Sequence, residues 1–128
     1  MSGKGIIETN KAPKPIGAYS QAVNVGNLLF VSGQLAVDPE TGRLNQGSLA
    51  EQVEIIMQNI ESILKVGGSG LGNIVQASIY LTDISKFSKV NEAYAHFFKG
   101  DYPARVTVEV SSLPGGAEVE IAVIAFIP

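Results

Sequence analysis

The segment 118–127 constrains the fold more than any other part of the chain. By the two-residue period of a strand, it places Val119, Ile121, Val123 and Ala125 on one side. The other side starts acidic, with Glu118 and Glu120, and ends apolar, with Ala122, Ile124 and Phe126. Such a strand needs cover on both faces. The two helices this chain can form cover only one face of a sheet, so Ile124 and Phe126 predict a second subunit against the other.

The remaining elements follow from local signals. Residues 5–9 form a short apolar piece that runs into Pro13 and Pro15, neither of which fits a central strand. Residues 21–25 and 28–32 alternate on either side of Gly26–Asn27, a dipeptide suited to a tight hairpin. A second turn is marked by Asp38, Pro39 and Gly42. Ser48 with Glu51 is a capping-box signature, and Leu49, Val53, Ile56, Ile60 and Ile63 recur at helical spacing until Gly67–Gly68. Residues 73–81 predict a strand with Val75, Ala77, Ile79 and Leu81 buried. Phe87, Val90, Tyr94, Phe97 and Phe98 predict a second helix over 85–99, closed by Gly100. Residues 104–110 alternate Val106, Val108 and Val110 with Arg105, Thr107 and Glu109. The order β-β-β-α-β-α-β-β predicts an α+β fold, a mostly antiparallel sheet with two helices on one face. With no linker, charge block or repeat, one domain over 1–128 is expected.

Composition removes several kinds of chemistry. The chain has no Cys, so disulfides, thiolate metal sites and a cysteine nucleophile are excluded. Its one histidine, His96, excludes a multi-histidine metal site and reads as an ordinary helical residue. The net charge is −3 with scattered basic residues, a poor fit to nucleic acid. Residues 1–7 lack the apolar stretch of a secretory signal, and the longest apolar run, 121–127, is too short to span a bilayer. A soluble, cytoplasmic protein without cofactor or metal is expected.

Few residues remain to carry chemistry. Arg105, at the head of a strand, is expected to point away from the valine face toward the surface that a neighbouring subunit covers. A guanidinium held there suits bidentate capture of a carboxylate or phosphate, although a rim ion pair is the commoner role of such an arginine. Glu120 is expected on the same side as Arg105. A carboxylate near an apolar floor is raised in pKa and can orient water, and Glu118 is an equal candidate. Residues 15–20 form a rigid turn presenting Tyr19. At Ser32–Gly33 a strand end permits close approach of a ligand, or a bulge.

These residues fall within a wider pattern. Ala12-Pro13-Lys14-Pro15-Ile16-Gly17-Ala18-Tyr19-Ser20-Gln21-Ala22, then 30–34, 90–94, 103–108 and Leu113–Pro114 through Val119-Glu120-Ile121, resemble the RidA/YjgF family of enamine/imine deaminases. The resemblance covers residues 6–127. It implies a chorismate-mutase-like fold assembled as a homotrimer around a central β-barrel, with ligand clefts between subunits. It also implies hydrolysis of 2-aminoacrylate, its imine tautomer and the four-carbon homologue to 2-keto acids and ammonia, without a cofactor. Arg105 and Glu120 match the catalytic positions; Tyr19, Ser32, Gly33 and Asn91, with Arg105, match the substrate-binding ones. Two departures stand out. Thr107 occupies a position where some members have Cys, and Ala122 follows Ile121 where many have a second Glu. Because Arg105 and Glu120 are present, activity is expected to survive both. A non-catalytic keto-acid-binding or chaperone-like trimer is the rival expectation, and a ribonuclease or translation inhibitor a third that the net charge disfavours.

Overall fold

A computed structural model describes residues 3–128; Met1 and Ser2, part of the segment read for a secretory signal, lie outside the described residues. Its strands are β1 (Lys4–Ile7), β2 (Ala22–Val25), β3 (Leu28–Gln34), β4 (Ile74–Leu81), β5 (Ala104–Glu109) and β6 (Val119–Phe126). The helices are α1 (Leu49–Val66) and α2 (Phe87–Ala95), with one-turn 3₁₀ segments at 71–73, 84–86 and 114–116. All six strands pair into one sheet in the order β1-β2-β3-β6-β4-β5. The pairings are antiparallel except β4 with β5, because α2 carries the chain back across the sheet before β5 begins.

Local chemistry sets the main elements. Gly26 sits at φ +59° in the β2–β3 turn, where a side chain would be strained. Ser48 caps α1, its hydroxyl accepting from the Glu51 amide at 3.1 Å and facing Glu51 Oε1 at 3.3 Å. The α1 stripe of Leu49, Val53, Ile56, Ile60 and Ile63 is buried against Leu29, Ile79, Ile121, Val123 and Ala125. This single apolar layer between α1 and the sheet is the core. Among the described residues, no helix is long and apolar enough to cross a membrane.

Three expectations need correction. Val75 is exposed and Ile74 is buried, because the β4–β6 register shifts between Ile74 and Gln76 and inserts one extra residue. The second helix stops at Ala95 rather than Lys99. Beyond it, Phe97 and Phe98 donate to Tyr94 O and Ala95 O, which tightens the chain and turns both rings onto the core. The third concerns β5. Arg105, Thr107 and Glu109 lie beside Ala77, Ile79 and Leu81, so they face the helices, and the valines face away.

The side of the sheet remote from the helices is therefore apolar and open. Ile6, Val25, Leu28, Phe30, Val106, Val108 and Phe126 lie on it, each between 36% and 54% exposed. Ile124, half-buried, sits among them beside Phe30. This is the face on which the sequence predicted a covering subunit.

Candidate functional site

The candidate residues fall into two groups on opposite faces of the sheet. Glu120 pairs with Tyr80, in register with Val108, on the open face. Arg105 pairs with Ala77 on the helix face. The expectation that both project to one side is thus corrected. Alternation shows which residues share a face, but not which face carries the core, and β5 has apolar residues on its solvent side.

Glu120 lies in a cleft of about 960 Å³ that also takes in Tyr19, Ser32 and Gly33. The cleft owes its shape to a bulge: the β3–β6 register shifts between Val31 and Gln34, leaving Ser32 and Gly33 out of the ladder. Gly33 is needed for space. A Cβ there would collide with the Glu120 carboxylate. Burial pushes the Glu120 carboxyl above the usual glutamate range, and it has no hydrogen bond or ion pair among the described residues. It is a half-buried carboxylate without a polar partner among the described residues.

Residues 9–21 form one wall of this cleft, held by a residue that the sequence did not single out. Gln21 is buried; its Nε2 donates to Thr9 O at 3.0 Å, Ala12 O at 3.3 Å and Pro13 O at 2.9 Å. Its Oε1 accepts from the Thr9 amide at 2.7 Å. One carboxamide thus stands in for the ladder that Pro13 and Pro15 cannot make. Ser32 ties the loop to β3, its amide donating to Gln21 O at 2.9 Å and its hydroxyl to Ser20 O at 2.6 Å. The Tyr19 hydroxyl accepts from the Ile16 amide at 3.2 Å, which leaves its proton available to a ligand. Opposite, Asp38 Oδ1 accepts from the Glu40 amide at 2.7 Å and the Thr41 amide at 3.3 Å, setting the turn that forms the second wall.

Arg105 and Asn91 do not line this cleft. Arg105 Nη1 donates to Asn91 Oδ1 at 2.7 Å, and its Cζ lies 5.0 Å from the Phe87 ring centroid and 5.4 Å from that of Tyr94. No carboxylate pairs with it among the described residues, so its charge is not neutralised. It is exposed, with most of its N–H donors uncommitted. Two hydroxyls near this group, Tyr94 Oη and Thr107 Oγ1, are buried without a hydrogen-bond partner among the described residues. Burial raises the Tyr94 phenol, which the Arg105 charge partly offsets.

Two other candidates are placed elsewhere. Glu118 accepts from Gln52 Nε2 at 2.9 Å and pairs with Lys86 at 3.7 Å, so it ties β6 to α1 and leaves Glu120 as the available carboxylate. His96 is exposed at the end of α2 and neither lines the cleft nor contacts Arg105 in any hydrogen bond or ring contact among the described residues. Gln21 carried a faint signal, a polar residue at the start of an otherwise apolar strand. Phe87 appeared only as a member of an apolar stripe, and Tyr94 as a member of that stripe and of the 90–94 segment, without a role of its own.

Comparison with known proteins adds to this geometry. The family model described as endoribonuclease L-PSP matches residues 9–127. The 2-iminobutanoate/2-iminopropanoate deaminase of Rattus norvegicus is 44% identical over 120 residues, spanning 94% of this chain and 88% of that protein. RidA from an Antarctic Psychrobacter species superposes with a TM-score of 0.93 at 43% identity, covering 96% of this chain and 99% of that one. E. coli TdcF, crystallised with bound serine, superposes with a TM-score of 0.91 at 36% identity, covering 95% and 98%.

Proposed function

The chain belongs to the RidA/YjgF (Rid) family, whose model carries the description endoribonuclease L-PSP, and on that premise we propose that it hydrolyses 2-imino acids and their enamine tautomers to 2-keto acids and ammonia. The substrates are 2-aminoacrylate with 2-iminopropanoate, and 2-iminobutanoate. The observation that carries this reading is Arg105, a guanidinium with no carboxylate partner among the described residues and donors to spare. Such a group binds the carboxylate common to all these substrates through paired hydrogen bonds. The deaminase of Rattus norvegicus, similar over nearly the whole chain, supports the same chemistry.

In this scheme Arg105 fixes the carboxylate and so holds the adjacent imine carbon in register for attack. Glu120 accepts a hydrogen bond from a water, takes its proton as the oxygen adds to the C=N of the protonated imine, and returns it to the amine nitrogen of the carbinolamine. As the C–N bond then breaks, the remaining O–H proton passes to the departing ammonia and the C=O forms. Ammonia leaves and the keto acid remains. The Tyr19 hydroxyl and the backbone at Ser32–Gly33 orient the reacting end, and Asn91 acts on substrate through Arg105. General acid–base assistance of this kind contributes roughly 10²–10⁴-fold. Since Arg105 and Glu120 lie on opposite faces of one chain, a working centre takes one from each of two subunits. A homotrimer, with the open sheet faces packed into a barrel, supplies that arrangement and covers Phe30, Ile124 and Phe126.

The test generates 2-aminoacrylate with a serine dehydratase and follows pyruvate release. The protein is expected to accelerate it, and Arg105→Ala to lower kcat/KM by roughly 10²–10³-fold, the cost of leaving a carboxylate without its charge partner. Acceleration that survives Arg105→Ala would overturn the proposal. Tight binding of 2-oxobutanoate without turnover would favour the keto-acid-binding trimer instead.

A further inference from the structure

Phe87, Asn91 and Tyr94 are spaced four and three residues apart on α2, so they share one helix face. That face meets the Arg105 side chain, with the guanidinium carbon within cation–π reach of both rings and one N–H on the Asn91 carboxamide. We infer that Phe87 and Tyr94 are positioning residues, forming an aromatic slot that fixes the plane of Arg105 without neutralising it. The inference rests on the role of Arg105 proposed above and adds to it the means by which an exposed, flexible side chain holds one pose.

The choice of partners is what makes the slot specific to anion capture. An aspartate or glutamate would orient a guanidinium more strongly, but would spend its charge and occupy the two donors that a carboxylate ligand needs. Ring faces attract the cation through their quadrupole, and a carboxamide accepts one hydrogen bond with no net charge. Among the described residues, Arg105 has one hydrogen bond and two ring contacts, all with neutral groups. The Tyr94 ring is itself braced by Phe98, 4.9 Å away between centroids and tilted by 50°, and Phe98 by Tyr102 at 6.1 Å. The Tyr94 hydroxyl has no hydrogen-bond partner among the described residues, so the ring contributes its face and not its polar tip.

The experiment measures KM and kcat for imine hydrolysis, and Kd for 2-oxobutanoate by calorimetry, in Phe87→Leu, Phe87→Tyr, Asn91→Asp and Arg105→Ala. Phe87→Leu removes the ring face and is expected to raise KM and Kd roughly three- to tenfold with kcat within about twofold. Phe87→Tyr restores both constants. Asn91→Asp, at a half-buried position, supplies the neutralising carboxylate and is expected to raise them by at least as much. A purely structural ring would lower the thermal midpoint in Phe87→Leu and leave KM and Kd alone. Unchanged constants in Asn91→Asp and Phe87→Leu, alongside a crippled Arg105→Ala, would overturn the slot but not the function. Should Phe87→Leu not fold, Asn91→Asp decides. An Arg105→Ala protein with normal turnover and Kd would remove the functional reading itself.

Discussion

Glu120 and Gly33 are one device at the residue scale. The missing Cβ admits the carboxylate, and the bulge that Gly33 belongs to keeps the ladder from filling the space. The raised Glu120 pKa gives two measurable consequences. Activity requires the ionised carboxylate, so the acid limb of kcat/KM is expected above the usual glutamate range. For stability the sign runs the other way. Burial opposes ionisation, so the contribution of Glu120 is fully present below its unfolded pKa and is lost as pH rises through its folded pKa. Glu120→Gln is therefore expected to raise the thermal midpoint at pH 7.5 and leave it unchanged near pH 3.5, while lowering kcat roughly 10²–10⁴-fold. A variant less stable at neutral pH would show that the carboxylate has a stabilising partner. The two residues matched to catalysis were legible as types, a lone strand arginine and a half-covered glutamate. Their faces were not. The pairing of Arg105 with Ala77 depends on a parallel neighbour 28 positions away, and alternation within β5 is symmetric with respect to that choice.

Among the elements, the proline-containing loop 9–21 has the least secondary structure of its own and the greatest influence on the cleft wall. Gln21 provides its internal frame, so Gln21→Ala leaves up to four backbone groups to find other partners. The expected cost is about 1–3 kcal/mol in a urea titration, with faster proteolysis near residue 16 and a raised KM. Wild-type protease resistance would show that the prolines alone hold the loop. Elements whose signals are local came through well: the Ser48 cap, the α1 stripe and the Gly26 turn each depend on residues within one turn of each other. Elements whose limits depend on partners did not. The bulge at Val75 reflects the match of β4 to β6, and the early end of α2 reflects where Phe97 and Phe98 find the core. The parallel course of β5 follows from the path of α2 and not from the composition of the strand.

At the level of the whole molecule, the open apolar sheet face and the placement of Arg105 and Glu120 on opposite faces both bear on the proposed assembly. Arg105→Ala and Glu120→Gln are each expected to be nearly inactive alone. Co-refolded in equal amounts, they are expected to form mixed copies of the proposed trimer, in which an intact Arg105 of one subunit meets an intact Glu120 of the next. Random assortment then restores roughly a quarter of wild-type activity. No recovery on mixing would place both residues of each working centre in a single chain, against the geometry described for β5 and β6.

The position of β5 at the end of the sheet has a further consequence. Among the described residues its ladder pairs with β4 alone, by the slanted bonds of a parallel pair, and nearly all of its residues are exposed. An outermost strand of this kind opens more readily than the interior of the domain. In the isolated chain, mild urea should therefore unseat Arg105 while circular dichroism still reports an intact fold, and β5 amides should exchange with deuterium before those of β6. Subunit association would close that gap, making ligand affinity a sensitive early gauge of how firmly the assembly is held together.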